Sequence, residues 1–260
     1  MLTTSAMNYR ADVKSAVTRI TLLHDLLRDL YRQGSIKIEP SVRRNILLGS
    51  LLKLLCQAET AMTLGITGCV EEILSISRTM AEVAVNGAYL QICEEEEIDR
   101  FIHFETQALY KHRKKLQPLV SQPPSPEVEE IIQEAVDAAG KQTGRKDQDL
   151  SWSIRGSLLK RAEHFDETSG LNPPMVLLVR TVYAWGHRAI HGTYDALLPF
   201  IRAVPDERIA FDKERQEQMA ISLLGISFVL FEFGMFMDRW LKADVEAQLI
   251  AANNAVWRET

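Results

Sequence analysis

The chain has 260 residues, 30 basic and 35 acidic side chains, a net charge of −5 with histidine neutral, and 46% hydrophobic residues. This balance is ordinary for a globular chain and excludes a generally basic nucleic-acid binder, although a local basic groove depends on arrangement rather than on the sum. Cys56, Cys69 and Cys93 form no CxxC pair, the usage of a reducing cytosol, and each is expected to pack as a small buried hydrophobe.

The opening "MLTTSAMNYRADVK" has no positive start followed by an apolar core, so it does not read as a signal peptide. Helical periodicity dominates the rest, and alternating strand patterns are scarce. A first amphipathic helix is expected from about Tyr9 to Arg32, with Val17, Ile20, Leu23, Leu26, Leu27 and Leu30 on one side and "QGS" as its stop. Pro40, at a first-turn position, opens a second helix, and Gly65 and Gly68 mark a tight connection after it. The third, "CVEEILSISRTMAEVAVNGAYLQIC", is apolar nearly all round and belongs in the interior. Glu94 to Glu97 begin a fourth that ends near Gln117, and read as surface charge favoured by the helix dipole.

Four prolines between Pro118 and Pro126 rule out helix interior there. Gln117 to Leu150 is therefore expected to be an inserted or flexible excursion, with a short helix around Val128 to Ala139. Further helices follow at "SIRGSLLKRAEHF", after Pro173-Pro174, from Asp206 to about Trp240, and in a short amphipathic tail. Met219 to Met237 approaches the roughly 20 apolar residues of a membrane span. Glu232 interrupts it and no second hydrophobic partner stands out, so it reads as the central helix of a bundle. The expected architecture is an all-α bundle, one domain over residues 1–260, with an irregular proline-rich middle.

Two stretches depart from simple packing. On the third helix Ser75, Arg78, Glu82, Asn86 and Tyr89 follow at spacings of three or four and share a face. A buried charge is costly unless paired. Either Arg78 and Glu82 pair with each other or with Glu232 and fix helix register, or the strip faces a cleft in which Arg78 supplies positive charge. The second stretch is "VRTVYAWGHRAIHGTYD", Val179 to Asp195. In one helix Arg180, His187, His191 and Asp195 differ by offsets of seven, four and four, which at ~100° per residue turn through small angles, with Tyr183 on the same side.

Three chemistries compete for that stretch. His187, His191 and Asp195 could hold a metal in a hydrolase, but Gly192-Thr193 bends the helix before Asp195 and no HExxH is present. Arginine and histidine on one face suit cleavage of RNA without any metal: histidine moves protons near neutral pH, arginine holds the phosphate, and the 2′-hydroxyl attacks. In a purely structural role, a histidine near a helix C-terminus gains from the dipole while Tyr183 and Trp185 pack. "YKHRKK", Tyr110 to Lys115, with "GRK" at Gly144 to Lys146 and "LLKRAEHF", could guide a polyanion, although "YKHRKK" equally reads as a solvated helix end. His103, His112 and His164 have no company at ligand spacing and read as surface or packing residues.

The spacing Arg180-x6-His187 resembles the R-x4-6-H motif of the HEPN superfamily. These are small helical bundles, many of them metal-independent RNases of toxin–antitoxin and antiphage systems, often working as dimers with two motifs at one interface. A broader resemblance, from about Ile73 to Phe200, is carried by "SRTMAEVAVNGAYL", "EIDRFIHFETQALYKHRKKL", Trp152 before "SIRGSLLKRAEHF", and "YAWGHRAIHG". It is to a family of uncharacterised bacterial helical proteins with a domain of unknown function. Its pattern of R-x3-E, a helix with Phe and Tyr, then Y-x3-S-x3-H-G is matched by Arg78, Glu82, Phe101, Tyr110, Tyr183, His191 and Gly192. His187 stands where that pattern has serine, so one resemblance selects His187 and the other His191.

Together these imply a cytoplasmic, HEPN-like helical protein that cleaves or binds RNA in antiphage defence or toxin–antitoxin function. His187 or His191 would be general acid/base, Arg180 or Arg78 the phosphate group, and Tyr183 an orienting hydroxyl. No metal or cofactor is implied, no membrane, and a homodimer or protein partner is expected. The alternative from another class is a non-catalytic interaction module whose Arg78–Glu82 strip is a buried polar network. A metal-dependent hydrolase is the third.

Overall fold

Leucines and isoleucines at spacings of three and four assemble the bundle. The computed structural model describes residues 9–67, 69–104, 125–130, 133–134, 137, 153–171, 174–186 and 208–256. The fold is all-α, and no strand occurs among the described residues. Helix α1 (Tyr9–Lys37) buries Ala16, Ile20, Leu23, Leu27 and Leu30 along one stripe. Helix α2 (Val42–Thr67) buries Leu47, Leu51, Leu54, Ala58 and Ala61 in the same way. Helix α3 is Val70–Tyr89, and α4 starts at residue 95 and is described to residue 104. Then come α5 (Leu158–Thr168), α6 (Met175–Gly186), α7 (Arg208–Leu241) and α8 (Glu246–Asn253).

Helix α7 is the axis of the assembly: α1 and α3 pack along it, and α2, α6 and α8 touch it. Leu223, Ile226, Val229, Leu230, Phe233, Phe236 and Met237 are buried on several of its sides, as a helix enclosed by neighbours requires. Phe165 of α5 meets Phe236 edge-on with ring centres 5.5 Å apart, which locks α5 against the axis. Two segments, Val42–Gly65 and Glu217–Leu241, are long and apolar enough to cross a membrane by length and composition. The apolar stretch in α7 thus has a counterpart in α2, contrary to the expectation from sequence. In the bundle 72% of the α7 window is buried against 39% of the α2 window.

Several boundaries differ from expectation for physical reasons. "QGS" does not end α1; Gly34 is where α1 meets α2, since a Cβ there would lie 2.9 Å from Leu48 Cδ2. Pro40 lies ahead of α2 rather than in its first turn; the helix begins at Val42 and Ser41 caps it, its Oγ accepting the Arg44 N–H at 3.1 Å. The four acids at the start of α4 are not all surface charge. Glu95 pairs with Arg43 at 2.7 Å and Glu96 with Arg100 at 2.6 Å, but Glu97 is only 3% exposed. Of the cysteines only Cys93 is buried, and Cys56 is exposed.

The start of α6 is fastened from a distance. The Asp166 carboxylate at the end of α5 accepts the Met175 and Val176 N–H groups, each at 2.9 Å, satisfying two otherwise unpaired donors. On α7, burial first, and Asp166 third after the opposing charge of Arg239, push the Glu232 carboxyl up to about 7. A carboxyl raised in the folded state contributes fully below its ordinary value near 4.5, and the contribution is lost as pH rises through about 7. Each pH unit of that interval is worth about 1.4 kcal/mol. Glu232→Gln is therefore expected to be more stable than wild type at pH 8 by up to about 3 kcal/mol, and level with it near pH 4.5. Urea denaturation at the two pH values measures this; equal differences at both would contradict it.

Candidate functional site

One side of α3 packs on apolar neighbours through Ile73, Met80, Ala81, Ala84 and Val85, all buried. Arg78, Glu82 and Asn86, four residues apart, lie together on another side, where α5 and α6 cover the helix. The result is a half-buried polar seam running along α3 from Arg78 to its C-terminal end.

At its first end Arg78 Nη2 donates to Tyr183 Oη at 3.1 Å, and the guanidinium carbon lies 4.7 Å from the centre of the Tyr183 ring. Tyr183 is placed by a π-helical turn, Val179–Tyr183, inside α6. Gly186 makes the close approach possible: a Cβ there would lie 2.4 Å from Arg78 Cβ and 2.6 Å from the Leu74 carbonyl oxygen. The Arg78 Nε is buried with no acceptor among the described residues. Neither the Arg78–Glu82 nor an Arg78–Glu232 pair expected from the spacing forms among the described residues; a phenol holds Arg78 instead.

In the middle of the seam Arg161 of α5 is only 5% exposed. Its Nε donates to Asn86 Oδ1 at 3.0 Å and its Nη1 to the Gly156 carbonyl at 2.9 Å. Burial lowers its pKa, and the charges of Glu82 and Glu97 oppose that shift and keep the cation. Glu82 thus serves Arg161 more than Arg78.

At the far end the buried Tyr89 meets the His164 ring edge-on, centres 5.9 Å apart. Burial and then the Glu97 charge raise the Tyr89 hydroxyl, while burial and Arg155, 3.2 Å from its Nε2, lower His164. Glu97 Oε1 accepts the Ile154 N–H at 2.7 Å and the Ser153 hydroxyl at 3.4 Å.

Of the residues expected at the site, the fold brings Arg78 and Tyr183 into contact and sets Glu82 on the same seam. It does not keep Arg180 with Tyr183: Arg180 is 66% exposed and faces Glu163 at 3.9 Å, a distance and exposure at which a pair contributes little. His187, His191 and Asp195 lie outside the described residues, as do Tyr110, "YKHRKK", "GRK" and most of the expected excursion from 117 to 150. Phe101 packs against the small cluster of Tyr89, Leu90, Cys93 and Ile98. Among the described residues no three His, Cys, Asp or Glu side chains are grouped to hold a metal ion. Sequence reasoning missed Arg161, Glu97 and His164 as members of the seam. Arg161 had a signal: it interrupts the apolar stripe of Leu158, Ala162 and Phe165 at helical spacing.

Residues 44–208 match the model of a family of unknown function, DUF5677. The chain belongs to that family. No curated protein and no solved structure matches it. The DUF5677 range takes in every member of the seam from Arg78 to Tyr183, whereas α1, nearly all of α7, and α8 lie outside it. The helices that complete the core in this chain are therefore supplied from beyond the part that the family model describes.

Proposed function

We propose that this DUF5677 member is a HEPN-like, metal-independent protein that binds and cleaves RNA in bacterial antiphage defence or toxin–antitoxin function. One observation carries the reading. Among the described residues Arg78 is held half-buried by a phenol ring and hydroxyl rather than by a carboxylate, so its positive charge is fixed in place without a paired anion there. That is what a phosphodiester needs from a protein, because charge grows on the phosphate oxygens as the 2′-hydroxyl attacks. Arg180, exposed on another side of α6 and facing Glu163, adds a second cation that the backbone of a long substrate could reach. Tyr183 orients Arg78 and offers its own hydroxyl. His187 or His191, next in the sequence after the Gly186 contact, supplies the general base and acid. The reading places the protein in the cytoplasm as a homodimer, with α2 and α7 as bundle helices.

The test is cleavage of structured and unstructured RNA in EDTA by wild type, His187→Ala, His191→Ala and Arg78→Gln. Wild type should cleave, one histidine variant should lose activity by about 10²-fold or more, and Arg78→Gln should lose it too. No cleavage by wild type sinks the nuclease reading. A second reading, a non-catalytic interaction module, is favoured by an apolar cavity of about 420 Å³ between α3, α6 and α7. Leu74, Val182, Ile221 and Phe228 line it, and Trp185 stands beside them half exposed.

A further inference from the structure

The far end of the seam opens into a second cavity, about 670 Å³, between the end of α3, the start of α4, residues 153–157 and α5. Its size is within the range of small-molecule sites, roughly 300–1,000 Å³. Glu97, which lines it, is almost wholly buried, and among the described residues one of its oxygens, Oε1, has donors. The other, Oε2, is buried with no donor among the described residues. A buried carboxylate oxygen without a donor is a standing cost, and a donor arriving through the cavity would remove it.

The remaining walls say what kind of donor fits. Glu94, Glu163 and Glu167 join Glu97, against the cations Arg155 and Lys160, so carboxylates outnumber cations. Arg155 is turned to His164 Nε2 at 3.2 Å. Ile92 and Ile154 add apolar wall suited to a short methylene chain. We infer that this cavity binds a small alkyl cation, its ammonium or guanidinium group donating to Glu97 and its methylenes lying against Ile92 and Ile154. The site is separate from Arg78 and Tyr183 and requires nothing of the RNA reading.

The experiment is isothermal titration of the full chain with agmatine, which carries both cationic groups, with putrescine, which carries ammonium alone, and with neutral 1,4-butanediol. Agmatine or putrescine should bind, the better of the two naming the preferred head group, and butanediol should be at least tenfold weaker. Glu97→Gln should weaken cation binding at least tenfold. Because Glu97 also holds the Ile154 N–H, Glu167→Lys serves as a second variant; its side chain is exposed and its reversed charge should weaken binding severalfold in a folded protein. The inference is overturned by absence of binding with both cations, by equal binding of butanediol, or by cation affinity unchanged in folded Glu167→Lys.

Discussion

Gly186→Ala should destabilise the protein by about 2–3 kcal/mol, the cost of forcing an extra methyl into a closed contact. The three atoms a Cβ would meet are Arg78 Cβ at 2.4 Å, the Leu74 carbonyl oxygen at 2.6 Å and Arg78 Cα at 3.2 Å. None is the end of a flexible side chain. Relief can come only by moving α6 away from α3, and that pulls Tyr183 off Arg78. The variant should therefore lose RNA cleavage along with stability, if that activity resides at Arg78. Gly49→Ala in α2 is the control: a Cβ there meets nothing within 4 Å, and replacing glycine inside a helix should raise stability by about 0.5–1 kcal/mol. Urea midpoints of the two variants should move in opposite directions. A Gly186→Ala protein as stable as wild type would mean that the two helices do not cross this closely.

Arg161→Met is the other large effect, at about 3–5 kcal/mol, as for the removal of one partner from a buried charged network. The loss comes from what stays behind. Asn86 Oδ1 and the Gly156 carbonyl lose their donor, and Glu82 and Glu97 lose the cation they face. Adding Glu82→Gln to Arg161→Met should return part of the loss, a coupling that a double-mutant cycle measures directly. Arg161→Lys should recover only a fraction, because an ammonium cannot reach Asn86 and Gly156 in the two directions used by the guanidinium. A loss below about 1 kcal/mol for Arg161→Met would contradict a closed polar network.

What could be read in the sequence follows from how local each cause is. Ile20, Leu23, Leu27 and Leu30 announce α1 because the periodicity that buries them lies within one helix. Gly34 misleads, since the reason for it is Leu48 on another helix. The same limit applies to Glu97, which looked like one of four surface acids until residues 153 and 154, more than fifty positions away, arrive as its donors. Arg78 and Tyr183 were both legible as unusual residues. That they meet each other, rather than Glu82 or Arg180, depends on a helix crossing and a backbone irregularity that no spacing rule encodes.

That irregularity bears on how motifs in such helices are counted. The π turn at Val179–Tyr183 takes five residues where a regular helix would take four, so a separation measured across it overstates the angular distance by one residue. Two side chains that flank such a turn share a face when they stand one residue further apart than they would in an unbroken helix, so faces assigned at ~100° per residue hold only up to the turn and must be reassigned beyond it.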